Sequence, residues 1–590
     1  MRLFRWIGRI LIGALAVVGA LVLALVVIAI FAWRELPSRI KPVPASAVLT
    51  LDLADGVVET RAGDPLALAG ITHGITMPDL VLGLEAASRD PRVRGLALKL
   101  GTGSLSLARA QEIRDAVAAF RAQGKFVLAF AESFGEAGDG NAHYDLATAA
   151  DAIWMQPSGS LDLKGIRLES VFLKDMLDSI GVAVRMDRRK EYKGALDSLT
   201  AASMPAPQRE NMQRLVDSMA ESLADGVAAR TGGDRTAARA LIDRGPFLAQ
   251  DALAAKLVDR LGYRDEFEAE VDRRGAGATR YALADYAATL EPAPDAATIA
   301  LVHGLGPIQL ADDAGAFGDL IMDAETVAGA LRHAREDPEV KAILFRVDSP
   351  GGSYVAADAI WREVARARQE GKPVVVSMGG IAGSGGYFVA APATAIVAEP
   401  ATITGSIGVF GGKLVLSQLW SKLGIGVDGV QSGANADIDS PNRDYSEAGW
   451  AYLQSTLDAV YRDFVAKVGA GRHLDAEAVE RLAKGQVWTG ADAAKNGLVD
   501  RLGGLSTAIE EARKAAGLAP EAPVKLVPYP PQPRDLASFL EQLAQAAQMR
   551  EFATLASLSR LVASLERLVA GGATAPQVEM APLGPTLPRM

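Results

Sequence analysis

The 590-residue sequence predicts an α/β protein made of two tandem repeats, each with a parallel sheet flanked by helices. Apolar runs of strand length alternate with amphipathic helical stretches, a pattern typical of parallel sheets joined by right-handed crossovers. Segments of the first half also recur in the second half at nearly constant spacing, as expected of a duplicated unit. An apolar stretch near the N-terminus predicts a transmembrane helix in addition.

The second half shows the alternation of strands and helices most clearly. Thr298–Val302, Ala342–Val347 and Pro373–Met378 are short, largely apolar runs that predict strands. Between the last two lies Ala356–Glu370, which has apolar residues on one face and charged residues on the other. This stretch predicts an amphipathic helix.

The duplication is visible in segments that recur in the same order. The spacing between the copies is first 247 residues, then 243 residues beyond a loop, and 241 residues for the last segment. The last segment is repeated without a change, and chance cannot plausibly keep such order and spacing. The matched pairs are Asp90–Leu98 with Asp337–Phe345, Ala152–Pro157 with Ala395–Pro400, and Leu257–Gly262 with Leu498–Gly503.

The repeat predicts four parts of the chain. Residues 1–45 hold a short N-terminus and the apolar stretch, residues 46–290 form the first repeat, and residues 296–515 form the second. The proline-containing linker Glu291–Pro294 is unsuited to helix or sheet and separates the repeats. Residues 530–590 carry apolar residues at helical spacing and predict a helical tail.

The N-terminal apolar run predicts a membrane anchor. Ile10–Trp33 is an uncharged run of 24 residues, preceded by Arg2, Arg5 and Arg9. A helix of this length covers about 36 Å, enough to cross a bilayer core of about 30 Å. The alternative is a cleaved signal peptide, whose apolar region is shorter, about 7–15 residues, and ends in a small-residue cleavage site. The arginines predict a cytoplasmic N-terminus, with the bulk of the chain on the other side of the membrane.

Composition excludes several classes of function. The net charge of −10 gives no electrostatic basis for binding nucleic acid. The absence of cysteine excludes disulfides, thiol catalysis and thiolate metal sites. The five histidines form no HExxH or H-x-H cluster, so we expect no metal site.

Two glycine-rich turns follow predicted strands of the second half. They are Asp348–Gly352 and Gly379–Tyr387. In parallel α/β sheets, sites gather where the carboxyl ends of strands meet loops and helix N-termini. Ser384 in the second turn is therefore a candidate nucleophile.

The same turns offer backbone donors for a developing oxyanion. We expect one donor to be the N–H of Gly385 and the other to be that of Gly351 or Gly352. Neither turn fits a nucleotide-phosphate motif, and single glycine-rich turns are often no more than tight turns. The motif around Ser384 also lacks the G-x-S-x-G pattern of the hydrolase elbow, because Ala382 stands at the first glycine position.

Together with Thr404–Gly408, these turns resemble, in order and spacing, the signal peptide peptidase A family in its long, duplicated form. The resemblance covers about residues 45–515 and the N-terminal anchor. It implies tandem domains of the Clp protease/crotonase fold, a Ser–Lys dyad without metal or cofactor, and hydrolysis of signal peptides released in the membrane. Because the dyad would span both halves, we also expect a homo-oligomer. The N-terminal run and its arginines predict a chain in the bacterial inner (cytoplasmic) membrane, with the catalytic domains on the periplasmic side.

The resemblance identifies Lys193 as the base and Ser406 as the hydroxyl that orients it. An ordinary lysine is almost fully protonated at pH 7, so Lys193 must lie in a buried cleft that lowers its pKa. Lys190 is a rival base, but its charged neighbours indicate a solvated surface. His143 aligns with Gly386 in the first repeat, which leaves a Ser–His arrangement as a further alternative.

The duplication tests the dyad independently. At the offset of 243, Ser384 corresponds to Asn141 and Lys193 corresponds to Ala436, so each half keeps one partner and lacks the other. A complete dyad then requires both halves. Two other classes stay open: a membrane scaffold without catalysis, and a crotonase-type acyl-CoA enzyme with the same fold and oxyanion glycines.

Overall fold

The computed structural model describes residues 42–61, 74–101, 103–136, 140–310 and 321–530. The predicted anchor at Ile10–Trp33 and the predicted helical tail beyond residue 530 lie outside the described residues. Within the described ranges, no helix combines the length and the apolar character needed to cross a membrane. The membrane anchor therefore stays a prediction from the sequence.

The first half forms a parallel sheet of six strands. The longest central strand, Val93–Leu100, carries six fully or nearly fully buried residues among its eight, as expected of a sheet covered on both faces. Every neighbouring pair in this sheet is parallel. In spatial order the strands are Arg260–Leu261, Ala152–Met155, Phe126–Ala131, Val93–Leu100, Ala47–Asp52 and Thr279–Ala282.

The second half forms a sheet of eight strands with the same central arrangement. The predicted strands Thr298–Val302 and Ala342–Val347 lie inside longer observed ones, while the third begins one residue later than predicted, at Val374. All pairs are parallel except the one between Val487–Thr489 and Ile403–Gly405. The main order is Val487–Thr489, Ile403–Gly405, Val374–Gly383, Val340–Ser349, Ala297–Leu305 and Val524–Tyr529; Ala395–Ala398 pairs with Val374–Gly383 and with Arg501–Leu502.

Helices connect the strands and cover both sheets, which confirms the predicted α/β class. The predicted helix at Ala356–Glu370 is observed at Tyr354–Gln369, where the side chain of Ser353 caps the N-terminus. The α-helices of the first half are Met77–Arg89, Leu107–Ala122, Asn141–Ala147, Lys174–Ile180, Asp197–Thr200, Ala206–Thr231, Arg235–Arg244, Ala249–Ala254, Arg264–Gly275 and Leu283–Ala288. Those of the second half are Ala324–Glu336, Tyr354–Gln369, Gly385–Ala390, Ser417–Lys422, Glu447–Arg472, Ala476–Leu482, Gly490–Lys495 and Leu505–Ala515.

Four short two-stranded pairs complete the strands of the described residues. The longest of them joins the two halves, because Ala183–Arg189 runs antiparallel to Val409–Val415. The others are Val57–Val58 with Ile75–Thr76, Ser160–Leu161 with Phe247–Leu248, and Ile308–Gln309 with Met322–Asp323.

The two halves share a hydrophobic core. Alternate residues of the strand Val340–Ser349 point to opposite faces of the sheet. Ile343 and Phe345 pack into a core formed by the second half alone, whereas Ala342 and Leu344 belong to a core that contains most of the buried residues of the first half. The described residues 42–60 and 74–530 accordingly form one compact unit.

A buried ion cluster lies in the interface between the halves. The Arg346 guanidinium donates from Nε to Glu59 at 2.9 Å and from Nη2 to Glu112 at 2.7 Å. A third bond runs from its Nη1 to the other carboxylate oxygen of Glu112 at 3.0 Å. All three side chains are buried, and both carboxylates come from the first half. Because the charges are removed from water, each depends on its partners for compensation.

We expect Arg346→Ala to lower the free energy of unfolding by about 3–5 kcal/mol, because it leaves the buried Glu112 without its cation and Glu59 with Arg109 as its remaining cation. Urea denaturation followed by circular dichroism measures the change. Arg239→Ala is the matched control, since its ion pair with Asp243 is exposed and contributes under about 1 kcal/mol. Equal midpoints for Arg346→Ala and the wild type would show that this cluster does not hold the halves together.

Candidate functional site

The candidate nucleophile Ser384 lies in a tight turn between the strand Val374–Gly383 and the helix Gly385–Ala390. Its φ of +53° and ψ of −116° are a sparsely populated conformation for a residue with a side chain. The N–H of Ser384 donates to the Gly405 carbonyl at 2.8 Å, which ties the turn to the neighbouring strand. The turn leaves the Ser384 side chain partly exposed although its neighbours in the helix are buried.

Lys193 reaches this turn from the first half. Its Nζ donates to Ser384 Oγ at 3.0 Å, to Ser406 Oγ at 2.9 Å and to the Ser406 carbonyl at 2.7 Å. The three residues that the sequence proposed as nucleophile, base and orienting hydroxyl are therefore in direct contact. Lys193 is 191 positions from Ser384 in the sequence and 213 positions from Ser406.

The strand pair between the halves explains how Lys193 arrives there. In the antiparallel pairing, Arg189 lies opposite Val409. The chain that leaves the first strand after Arg189 and the chain that enters the second strand at Val409 therefore lie at the same end of the pair. Lys193 follows Arg189 by four residues, and Ser406 precedes Val409 by three. The register of the pair thus brings the two side chains to one place.

Backbone contacts fix the segment around Lys193. The Tyr192 N–H donates to the Lys484 carbonyl at 3.1 Å, and Arg188 Nη1 donates to the Lys193 carbonyl at 3.1 Å. Arg188 also forms an ion pair with the buried Asp197. A side chain at Gly485 could not be accommodated, because its Cβ would lie 2.5 Å from the backbone nitrogen of Lys193. The close approach of this glycine allows the lysine to be buried.

Burial changes the chemistry of Lys193. The residue is 2% exposed, and burial lowers the pKa of its amine to about 7, since the charged form loses its hydration. Among the residues that the structure describes, no carboxylate is a hydrogen-bond partner of its Nζ, so none of them holds the proton on the amine. Near neutral pH a substantial fraction of this amine is uncharged.

The predicted oxyanion glycines divide into two groups. The Gly351 N–H donates to Ser349 Oγ at 3.1 Å and is therefore engaged. The N–H groups of Gly352 and Gly385 have no acceptor among the described residues, and a Cβ on Gly385 would lie 3.2 Å from the Gly352 nitrogen. These two free donors are close together beside Ser384.

Gly351 matters in the same loop because it has no side chain. Its φ of +98° favours glycine, and a Cβ there would lie 2.8 Å from Ser384 Cβ. The loop can approach the nucleophile only because this position lacks a side chain. The sequence proposed the N–H of either Gly351 or Gly352 as the second oxyanion donor, and it could not distinguish which of these two adjacent groups is free.

The rival residues lie elsewhere. Lys190 Nζ faces Glu480 at 3.7 Å and the ring of Tyr461 on the protein surface. His143 is buried in the first half, where its ring nitrogens contact the Gly101 N–H at 3.3 Å and the Gly103 carbonyl at 3.2 Å. Neither residue is among the partners of Ser384.

The positions equivalent to the dyad in the other half have structural contacts instead. Asn141, equivalent to Ser384, donates to the Gly165 carbonyl at 2.7 Å and accepts from the Lys164 N–H at 3.1 Å. Ala436, equivalent to Lys193, lies in an exposed turn closed by its N–H and the Gly433 carbonyl. Each half thus contributes one member of the contact.

Sequence reasoning missed two supporting side chains. Ser349 engages the Gly351 N–H, and the buried Thr404 donates to the Ala382 carbonyl at 2.7 Å, two residues before the nucleophile. Both lie inside segments that the sequence had singled out, Asp348–Gly352 and Thr404–Gly408. Both are small hydroxyl residues at the end of a strand, next to a glycine-rich turn, and this pattern could have identified them as supporting residues.

The sequence is similar to known proteins over most of its length. The sequence profile of Peptidase family S49 matches residues 119–277 and 366–519, one stretch in each half. Protease 4 of Salmonella typhi is 35% identical over 458 residues, which cover 75% of this chain and 72% of the relative. The chloroplastic serine protease SPPA of Arabidopsis thaliana is 30% identical and covers 77% and 68%, and Protease 4 of Haemophilus influenzae is 32% identical and covers 79% and 78%. These matches confirm the resemblance seen in the sequence, and the chain belongs to Peptidase family S49.

Proposed function

We propose that this peptidase is a membrane-anchored serine endopeptidase that uses Ser384 and Lys193 to hydrolyse apolar peptides such as released signal peptides. The observation that carries the proposal is the 3.0 Å contact between a buried amine of lowered pKa and a hydroxyl in a strained turn. Acyl transfer through serine needs a base that is uncharged at the working pH and in contact with the hydroxyl. Tandem domains of the Clp protease/crotonase type are the fold proposed to carry this chemistry.

The first chemical step forms the acyl-enzyme. The uncharged Lys193 amine takes the proton of Ser384 Oγ as that oxygen attacks the peptide carbonyl carbon. The resulting oxyanion accepts hydrogen bonds from the Gly352 and Gly385 N–H groups, which need no reorganisation because they are already free. The Lys193 ammonium then gives its proton to the leaving amine as the C–N bond breaks.

Deacylation repeats the sequence with water. The amine takes a proton from a water molecule that attacks the ester carbonyl, and the proton returns to Ser384 Oγ as the acid product leaves. The hydroxyl and the carbonyl of Ser406 accept hydrogen bonds from the Lys193 amine. When Lys193 is neutral, these two bonds use both of its N–H groups and leave its single lone pair for the Ser384 hydroxyl. No metal or cofactor takes part in this scheme.

Apolar substrates are proposed from the family resemblance, and the location from the N-terminal sequence. Ile10–Trp33 would anchor the chain in the bacterial inner membrane, with both repeats on the periplasmic side. A peptidase held there would meet apolar segments that leave the bilayer. The two alternative functions have less support. A membrane scaffold without catalysis would not need an intact contact between a base and a hydroxyl. A crotonase-type enzyme would need CoA esters, which are not expected outside the cytoplasm.

We expect Ser384→Ala and Lys193→Ala each to reduce kcat/KM by at least about 10³-fold, because the hydroxyl and the base act as a unit. Cleavage of a fluorogenic apolar peptide by the full chain in detergent measures the loss. Lys190→Ala is the matched control and keeps wild-type activity, since that amine lies on the surface. Activity retained in Lys193→Ala would assign the base to another residue.

The pH dependence follows from the pKa of Lys193, which is about 7. The uncharged amine is the active form, so kcat/KM rises with pH, is half-maximal near pH 7 and falls about tenfold per pH unit well below it. Circular dichroism at each pH excludes unfolding as the cause. A half-maximal pH near 10, the value of an ordinary lysine, would contradict the role of the buried amine.

We expect the full chain to remain with the membrane fraction after alkaline carbonate washing and to be released by detergent. Leu21→Arg combined with Leu23→Arg places two charges in the middle of the apolar run, where each costs about 2.5–3.5 kcal/mol on insertion, and should release the chain. Protease digestion of intact spheroplasts tests the orientation. Recovery of the wild-type chain in the wash, or protection of both repeats from protease, would overturn the proposed location.

A further inference from the structure

A buried acid follows the proposed base by four residues in the sequence. Asp197 is 2% exposed and begins the short helix Asp197–Thr200. Its Oδ1 accepts a hydrogen bond from Arg188 Nη1, and the two side chains form an ion pair. The proposed mechanism gives this carboxylate no part in proton transfer, although it lies in the segment that carries Lys193.

Asp197 is linked to the base through Arg188. The Nη1 atom of Arg188 that contacts Asp197 also donates to the Lys193 carbonyl at 3.1 Å. Arg188 itself lies in the strand Ala183–Arg189, opposite Phe410 of the second half, so its backbone is held by the strand pair that joins the halves. One guanidinium nitrogen therefore connects the buried carboxylate to the backbone of the base.

The carboxylate also packs against the residue that follows the base. A Cβ on Gly194 would lie 3.1 Å from Asp197 Oδ2 and 3.1 Å from Gln208 Cγ. The Gly194 N–H donates to the Tyr192 carbonyl at 2.7 Å, so the chain turns tightly around Lys193. The side chains of Asp197 and Gln208 thus lie against the backbone directly after the base.

This arrangement does not serve stability, which indicates a functional reason for it. Asp197 Oδ2 and Gln208 Oε1 are buried and have no hydrogen-bond partner among the described residues. A buried acceptor without a donor costs free energy, and a buried ion pair is often no more stable than an apolar pair of similar size. Polar groups that break these rules are expected at functional sites, where packing elsewhere offsets their cost.

The other titratable groups of this segment have partners nearer the surface. Each set of contacts includes an exposed side chain: Lys190 with Glu480, Glu191 with Lys484, Arg189 with Asp187 and Asp458, and Tyr192 with Glu210. Among these acids and Asp197, only Asp197 is buried. It is therefore the acid whose contacts reach the backbone of the base.

We propose that Asp197 is a positioning residue for Lys193: through Arg188 it fixes the carbonyl of the base, and through Gly194 it fixes the residue that follows. The proposal rests on the proposed Ser384–Lys193 chemistry. Asp197 touches neither the substrate nor the reacting atoms, and it acts only on the placement of the amine. Loosening the segment lets water reach that amine, which raises its pKa towards the value of an ordinary lysine.

A double variant separates positioning from folding. Arg188→Met combined with Asp197→Leu replaces the ion pair by apolar side chains of similar size, so no buried charge is left unpaired and we expect the full chain to fold. Urea denaturation followed by circular dichroism checks this. We expect kcat for a fluorogenic apolar peptide to fall about 10- to 100-fold with KM within about twofold of the wild type, because the base is displaced while the contacts with substrate stay.

NMR measures the placement of the amine without substrate. With ¹³C at the lysine ε-carbons, we expect the Lys193 midpoint to rise by about one pH unit or more in the double variant and in Asp197→Asn, since burial is what holds the pKa at about 7. The half-maximal pH of kcat/KM rises with it. Asp458→Asn is the matched control and changes neither quantity, because Asp458 is an exposed acid that pairs with the neighbouring Arg189.

The two readouts distinguish this proposal from the proposed function. An inactive wild type whose Lys193 midpoint still rises in the variants would contradict the peptidase chemistry and support the positioning role. An unchanged midpoint and an unchanged kcat in a folded double variant would overturn the positioning role. A midpoint that falls in Asp197→Asn would overturn it as well, because the charge of Arg188, and not hydration, would then set the pKa of the amine.

Discussion

The burial of one amine is the constraint on which the arrangement of this protein depends. Lys193 can be uncharged near neutral pH only if it is kept from water, and it can act on Ser384 only if it contacts that hydroxyl. Both conditions must be met by side chains that come from different halves of the chain. The interface between the halves therefore has to be rigid as well as closed, because a gap that admitted water would restore the ordinary pKa of the lysine.

Three features of the interface serve this requirement. The shared core removes apolar surface of both halves from water, and the buried Arg346 cluster fixes their relative position with directional bonds. The antiparallel pair Ala183–Arg189 with Val409–Val415 then delivers the lysine in register. The cost of an unprotonated buried amine and of a strained serine is offset by packing elsewhere, which is the usual situation at functional sites.

The sequence predicted the part of the fold that follows from local patterns. The central strands and the helix at Tyr354–Gln369 lie close to their predicted bounds, because apolar periodicity and caps are local signals. The residues that meet at the site were also proposed from the sequence: Ser384 from its glycine-rich turn, and Lys193 and Ser406 from the family resemblance, with the duplication as a check on the dyad. The Arg346 cluster was not, because Arg346 and Glu59 are 287 residues apart and nothing local marks them as partners. The engagement of the Gly351 N–H was likewise hidden, since it depends on the rotamer of Ser349.

The most direct test of the account is a titration of the Lys193 amine itself. The full chain, labelled with ¹³C at the lysine ε-carbons, is followed by NMR from pH 5 to pH 11, and the Lys193 signal is assigned by its loss in Lys193→Arg. The account predicts one lysine with a midpoint near pH 7, well separated from the surface lysines near pH 10 to 11. A Lys193 midpoint among those of the surface lysines would contradict it.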